Sequence, residues 1–145
     1  MANSDEIAAL VHSYALLLDG GDTEAVVALF EHATLRSEPN GSLLRGSDEI
    51  RPIYERLKGE GAPRTKHLLT NLTIDVGAEA TTATSHCYWT VLREVPTGGI
   101  DVMLSGHYVD TFEKVEGRWR FADRLITVDL GGTAETTGGE PTPSA

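Results

Sequence analysis

The chain has 145 residues, 40% hydrophobic and 23% charged, with 22 acidic against 12 basic side chains and a formal net charge of −10. That length suits one domain around one core, and the acidity argues against nucleic acid or an anionic membrane as partner, because both need a basic footprint. Cys87 is the single cysteine, so no intrachain disulfide can form. The N-terminal residues carry no basic segment followed by an apolar one, and no apolar run approaches membrane-spanning length, so the cytoplasm is the default compartment.

Asn3 followed by Glu6 reads as a capping box. Ile7, Leu10, Val11, Tyr14, Leu17 and Leu18 then recur at helical spacing, and Gly20-Gly21 ends the helix. Asp22 or Thr23 caps a short second helix carrying Val26, Val27, Leu29 and Phe30. A short hairpin follows, with strands over 33–38 and 42–45 around an Asn40-Gly41 turn. Gly46-Ser47-Asp48-Glu49 opens a third helix that runs to about Leu57, with Pro52 near its first turn.

From Thr65 the apolar period changes from helical to alternating. Four strands are predicted, over 65–76, 80–94, 100–114 and 118–129. The breaks between them are short, so neighbours pair as an antiparallel meander, and the strands are long enough that the sheet must curve and bulge. The predicted class is α+β: a cone-shaped barrel of long curved antiparallel sheet closed by N-terminal helices, with a pocket inside. Residues 1–130 form the expected single domain, and residues 131–145, rich in Gly, Thr, Pro and Glu, read as a disordered tail.

Two separated residues stand out. Asp19 ends the first helix, where a carboxylate is poorly placed against the helix dipole unless it has a partner. His67 opens the first long strand. A carboxylate holding one imidazole nitrogen leaves the other as a base. Taken singly, Asp19 fits a solvated turn residue and His67 a structural strand histidine equally well. In the strand, His67, Leu69, Asn71, Thr73 and Asp75 share one face and Leu68, Thr70, Leu72, Ile74 and Val76 the other, unless a bulge switches them.

Tyr14 lies in the apolar stripe of the first helix, so its hydroxyl needs a partner inside. Arg124 falls in phase with Ala122, Ile126 and Val128, and an arginine on an apolar face needs an acid or a bound anion. A structural pair with Asp19 or Asp101 fits it as well as a substrate role. Asn71, His86, His107 and Trp89 are candidate substrate contacts, although Trp89, Trp119, Phe112 and Phe121 are most simply core. The spacing of the histidines lacks the pattern of common metal sites, so no metal is expected. Cys87 has no nucleophile motif around it. No phosphate-binding loop, dinucleotide fingerprint or GxSxG elbow is present.

Three stretches together resemble the NTF2-like superfamily and its SnoaL-like branch. They are residues 14–22 with Val27-Ala28-Leu29-Phe30, then His67-Leu68-Leu69-Thr70-Asn71-Leu72, then residues 106–114 leading through Gly117-Arg118-Trp119 to Arg124. The Asp19/His67 arrangement is similar to that of the scytalone dehydratase, bile-acid 7α-dehydratase and hexachlorocyclohexane dehydrochlorinase families. The resemblance implies a cofactor-free lyase or isomerase acting on a small apolar organic molecule, and a homodimer or homotrimer. His67 would take a proton from carbon, Asp19 would orient it, Tyr14 would donate a hydrogen bond, and Arg124 would stabilise negative charge. A polyketide or terpenoid cyclase, or a non-catalytic binding or association module, would use the same chamber.

Overall fold

The computed structural model describes residues 2–131. The tail expected over 131–145 lies outside the described residues apart from Gly131. Three helices come first: α1 (Asn3–Asp19), α2 (Thr23–Leu29) and α3 (Gly46–Leu57). The hairpin strands β1 (Thr34–Glu38) and β2 (Leu43–Arg45) lie between α2 and α3. The long strands are β3 (Thr65–Val76), β4 (Thr82–Glu94), β5 (Ile100–Val115) and β6 (Arg118–Leu130).

All six strands join one sheet in the order β2-β1-β6-β5-β4-β3. The meander from β3 to β6 is antiparallel, as its short connections require. One feature goes beyond that expectation: β1 runs parallel to β6, which makes the sheet mixed. The sheet curls without closing, with β2 and β3 as its edges. Its inner face meets α1, α2 and α3 in one apolar cluster that includes Ile7, Val11, Leu18, Val27, Phe30, Ile50, Phe112 and Phe121.

Helix ends follow local chemistry, with one departure. Asp22 caps α2 by accepting from the Ala25 amide at 3.1 Å. The expected Asn3/Glu6 capping box does not form. Ala2 takes the cap position, and the Asn3 carboxamide oxygen instead accepts from Lys114 Nζ and Trp119 Nε1, each at 3.0 Å. Two cationic or aromatic donors on the sheet outcompete a solvated local bond.

Bulges decide which side chains face inward. In β3 the pairing with β4 slips between Thr70 and Thr73, and Asn71 sits in the left-handed region at φ 56. Leu69 before the slip and Leu72, Ile74 and Val76 after it all turn inward. The anticipated switch of faces therefore occurs at Asn71. A second slip, between Thr111 and Phe112 of β5, leaves Ala122 as the extra residue in β6. Phe121 and Arg124, of opposite parity, consequently both point into the core.

Candidate active site

Asp19 is the last residue of α1, and the Gly20-Gly21 turn that follows lets the chain leave at once. Its two carboxylate oxygens grip one residue twice. Oδ2 accepts the backbone N–H of His67 at 2.7 Å, and Oδ1 lies 2.7 Å from His67 Nδ1. Thr65 Oγ1 donates to the same Oδ1 at 3.4 Å. The helix end is thus pinned to the start of β3, and the imidazole orientation is fixed by the same group. The His67 side chain is 5% exposed and that of Asp19 17%.

Burial pushes the Asp19 carboxyl up, but the hydrogen bonds from the His67 ring and backbone, with the His67 and Lys58 charges, hold it below the ordinary carboxylate value. An ionised carboxylate only accepts, so His67 Nδ1 carries the proton in this pair. When the ring is neutral, that tautomer makes Nε2 its basic nitrogen.

Deeper in the cone lies a second polar group. Tyr14 Oη is 2.9 Å from Tyr54 Oη, contributed by α3. The Tyr14 ring meets Phe30, Tyr54 and Tyr108 edge-on, at 5.7, 6.1 and 5.9 Å. Burial keeps the Tyr14 hydroxyl above its usual value, against the opposing Arg124 charge and the Tyr54 and Tyr108 hydroxyls. It stays protonated at neutral pH.

Arg124 is fully buried and faces Asp110 in a fork, Nε to Oδ1 at 2.7 Å and Nη2 to Oδ2 at 2.9 Å. The pairing with Asp19 or Asp101 weighed from the sequence does not occur. Asp101 bonds Arg93 instead. The Arg124 guanidinium lies 3.9 Å from the Tyr108 ring centre and 4.5 Å from that of Tyr14. Burial pulls its pKa down, yet the Asp110 carboxylate outweighs this and holds it above the ordinary value.

The other predicted residues separate. Trp89 is fully buried and stacked on Tyr108 at 5.9 Å. Asn71 is exposed in the β3 bulge. His86 and His107 alternate with the inward residues of β4 and β5 and lie on the outer face of the sheet, their rings 5.4 Å apart, with His107 Nδ1 2.6 Å from Asp129. Burial raises the Cys87 thiol to about 11, which leaves it protonated. Among the described residues no group of three or more His, Cys, Asp or Glu is placed to hold a metal, and no helix is long and apolar enough to cross a membrane. The sequence reading missed Asp110, Tyr54 and Tyr108. Their signals were present: Tyr54 falls four residues after Ile50 on one helix face, and Asp110 alternates with Tyr108 and Phe112.

The sequence pattern of the SnoaL-like domain matches residues 1–125. Two curated relatives, the terminal oxygenase β subunits 1 and 2 of terephthalate 1,2-dioxygenase from Comamonas sp., are each 35% identical over 77 residues. That match covers 53% of this chain, which spans only 46% of their length. Among solved structures, an NTF2-like protein with a cystatin-like fold from Novosphingobium aromaticivorans superposes with a TM-score of 0.74 at 25% identity, over 94% of this chain and 87% of that one. A candidate scytalone dehydratase from the same organism gives a TM-score of 0.74 at 26% identity, over 88% and 84% of the two chains.

Proposed function

The chain belongs to the SnoaL-like domain family, and from that premise we propose that it is a cofactor-independent lyase of the dehydratase type, or an isomerase, that removes a carbon-bound proton from a small apolar organic substrate. The observation that carries this reading is the double grip of Asp19 on His67. One carboxylate fixes the ring, selects the tautomer and holds the strand that bears it. A proton taken by Nε2 forms an imidazolium, and the adjacent carboxylate offsets its charge. Tyr14, protonated and buried, serves as hydrogen-bond donor to a substrate oxygen. Arg124 supplies positive potential to the negative charge that develops.

The test uses 1-tetralone, an apolar ketone with exchangeable protons beside its carbonyl. The protein is expected to accelerate their replacement by deuterium in D2O, read by proton NMR. His67→Ala should slow that exchange by about 10²–10⁴-fold, the usual contribution of a positioned base. Exchange rates equal to wild type in both His67→Ala and Asp19→Asn would overturn the assignment.

The dioxygenase β subunits support a second reading, in which the chain serves as an accessory subunit in an oxygenase assembly. Affinity purification of the tagged chain from its native host separates the two. Recovery in fixed stoichiometry with a second oxygenase subunit favours this second reading.

For partners we propose a second copy of this chain, seated on the outer face of the sheet. Leu68, Tyr88, Val109 and Leu130 are exposed on or beside that face. Three of its carboxylates are already paired, Asp123 with Arg36, Glu113 with Arg120 and Asp129 with His107. In a chain of net charge −10 these pairings lower the repulsion between two copies that meet on this face.

A further inference from the structure

Where β3 begins and β4 ends, the chain builds two walls. One is Gly61-Ala62-Pro63-Arg64, which leads into β3, and the other is the turn after β4, with Val95, Pro96 and Gly98. Between them lies a cleft of about 580 Å³ whose charged lining residues are Arg64, Arg93 and Glu94. That volume falls in the range of small-molecule sites. Backbone bonds brace both walls: the Glu94 amide donates to the Arg64 carbonyl and the Val95 amide to the Gly99 carbonyl, each at 3.0 Å.

Arg93 ties this cleft to the Asp19/His67 pair. Across β3 and β4, Thr65 stands opposite Arg93 and His67 opposite Val91. Residues directly opposite share a face of the sheet, and Thr65 Oγ1 reaches Asp19 on the helix side. Arg93 therefore lies on the face of His67, two residues nearer the end of the sheet, or about 7 Å along the strand. Asp101 holds its guanidinium in a fork, Nε to Oδ1 at 3.1 Å and Nη2 to Oδ2 at 2.9 Å. The fork fixes the side chain and leaves the two N–H groups of Nη1 to donate. With the Arg93 side chain 33% exposed, a solute in the cleft can reach it.

The surroundings are cationic on a molecule of the opposite sign. The formal net charge is −10, yet Lys58, Arg64, Lys66 and Arg93 gather at this end of the sheet, against Glu60, Glu94 and Asp101. Arg64 is 88% exposed and only loosely paired, 3.7 Å from Glu94. An anion repelled elsewhere is drawn here.

We propose that this cleft binds a carboxylate, held by Arg93 with Arg64 beside it, and that the substrate is an apolar body carrying a carboxylate at one end. The inference rests on the proton-abstraction reading and names the molecules that reach the base. The carboxylate stays at the rim, where it keeps part of its water, and the apolar remainder extends toward His67. A carboxylate accepts charge-assisted bonds from a guanidinium more strongly than a neutral oxygen does. Arg93 binds the substrate, and Asp101 positions Arg93.

The experiment is calorimetric titration of the full chain with 4-phenylbutanoate and with 4-phenyl-1-butanol, the same skeleton without the charge. The acid is expected to bind about tenfold more tightly than the alcohol, the worth of a hydrogen bond to a charged group. Its advantage should shrink as salt is added. Arg93→Gln should abolish the advantage and leave alcohol binding unaltered. If that variant does not fold, Asp101→Asn serves instead: it frees the guanidinium of its present acceptor and should tighten the acid but not the alcohol. Equal affinities for acid and alcohol, an advantage that survives Arg93→Gln, or acid binding that Asp101→Asn fails to tighten overturns the proposal. Deuterium exchange of 1-tetralone reads the base separately. Equal affinities with exchange slowed in His67→Ala condemn the cleft alone. An acid advantage lost in Arg93→Gln, with exchange undiminished in His67→Ala and Asp19→Asn, condemns the base alone.

Discussion

At the residue scale, Asp19 carries two jobs that one substitution separates. Asp19→Asn still offers an oxygen to the His67 amide, so the helix-to-strand tie survives. Its carboxamide nitrogen, however, presents N–H to Nδ1 and favours the tautomer with the proton on Nε2. Tetralone exchange is expected to fall by about 10²–10⁴-fold with far-UV circular dichroism unaltered, and the imidazole 15N shifts should report the reversed tautomer. The same carboxyl leaves a mark on stability. Its folded pKa is depressed, so the unfolded chain binds the proton more readily. Its contribution is complete above the ordinary carboxylate value of about 3.9 and is lost as pH falls through the lower folded value. Urea titrations at pH 7 and pH 3 should show the gap between wild type and Asp19→Asn closing in acid. Arg124 and Asp110 give a different prediction. Asp110→Ala strands a fully buried guanidinium, with an expected cost of about 3–5 kcal/mol in urea denaturation. Replacing both, with Met at 124 and Leu at 110, should recover most of that loss.

At the element scale, two of the sheet's four register shifts decide what enters the core from β3 and β6. Asn71 is one extra residue in β3, and it changes the phase so that Leu72, Ile74 and Val76 join His67 and Leu69 inside. Deleting Asn71 should turn those three outward and cost about 3 kcal/mol or more, given what burying an apolar side chain contributes. Asn71→Gly keeps the extra residue and suits φ 56, so its urea midpoint should stay close to wild type. The same bulges explain where sequence reading stopped. Helix spacing, turn residues and alternation placed every helix and strand to within a few residues, whereas the pairing of the carboxylate at the end of α1 with His67 came from the family resemblance. Alternation says which residues share a face only until an extra residue intervenes. The slip at Ala122 is what brings Phe121 and Arg124 together. Cross-strand register then sets Arg124 opposite Asp110, and no local pattern encodes register. The positions of His86 and His107 failed for a related reason: alternation separates two faces without saying which is inside.

At the scale of the whole molecule, the outer face of the sheet carries the expectation about assembly. Val109 sits between His86 on β4 and Leu125 on β6, near the middle of that face. Val109→Arg should shift the mass measured by light scattering from a multimer to the monomer, while far-UV circular dichroism stays unaltered. An unchanged mass would place the contact elsewhere. The strand order has a further consequence, for how the chain is made. β6 is inserted between β1 and β5, and Arg36 of β1 reaches Asp123 across 87 positions. At synthesis rates of about 5–20 residues per second, β1 leaves the ribosome roughly 4–17 seconds before its neighbour does. Until then the hairpin presents a raw edge, and Phe30 lacks Phe121, the ring it packs against at 4.9 Å. The nascent chain is sticky for as long as its final strand is missing, and truncation before Arg118 should yield a species that chaperones retain.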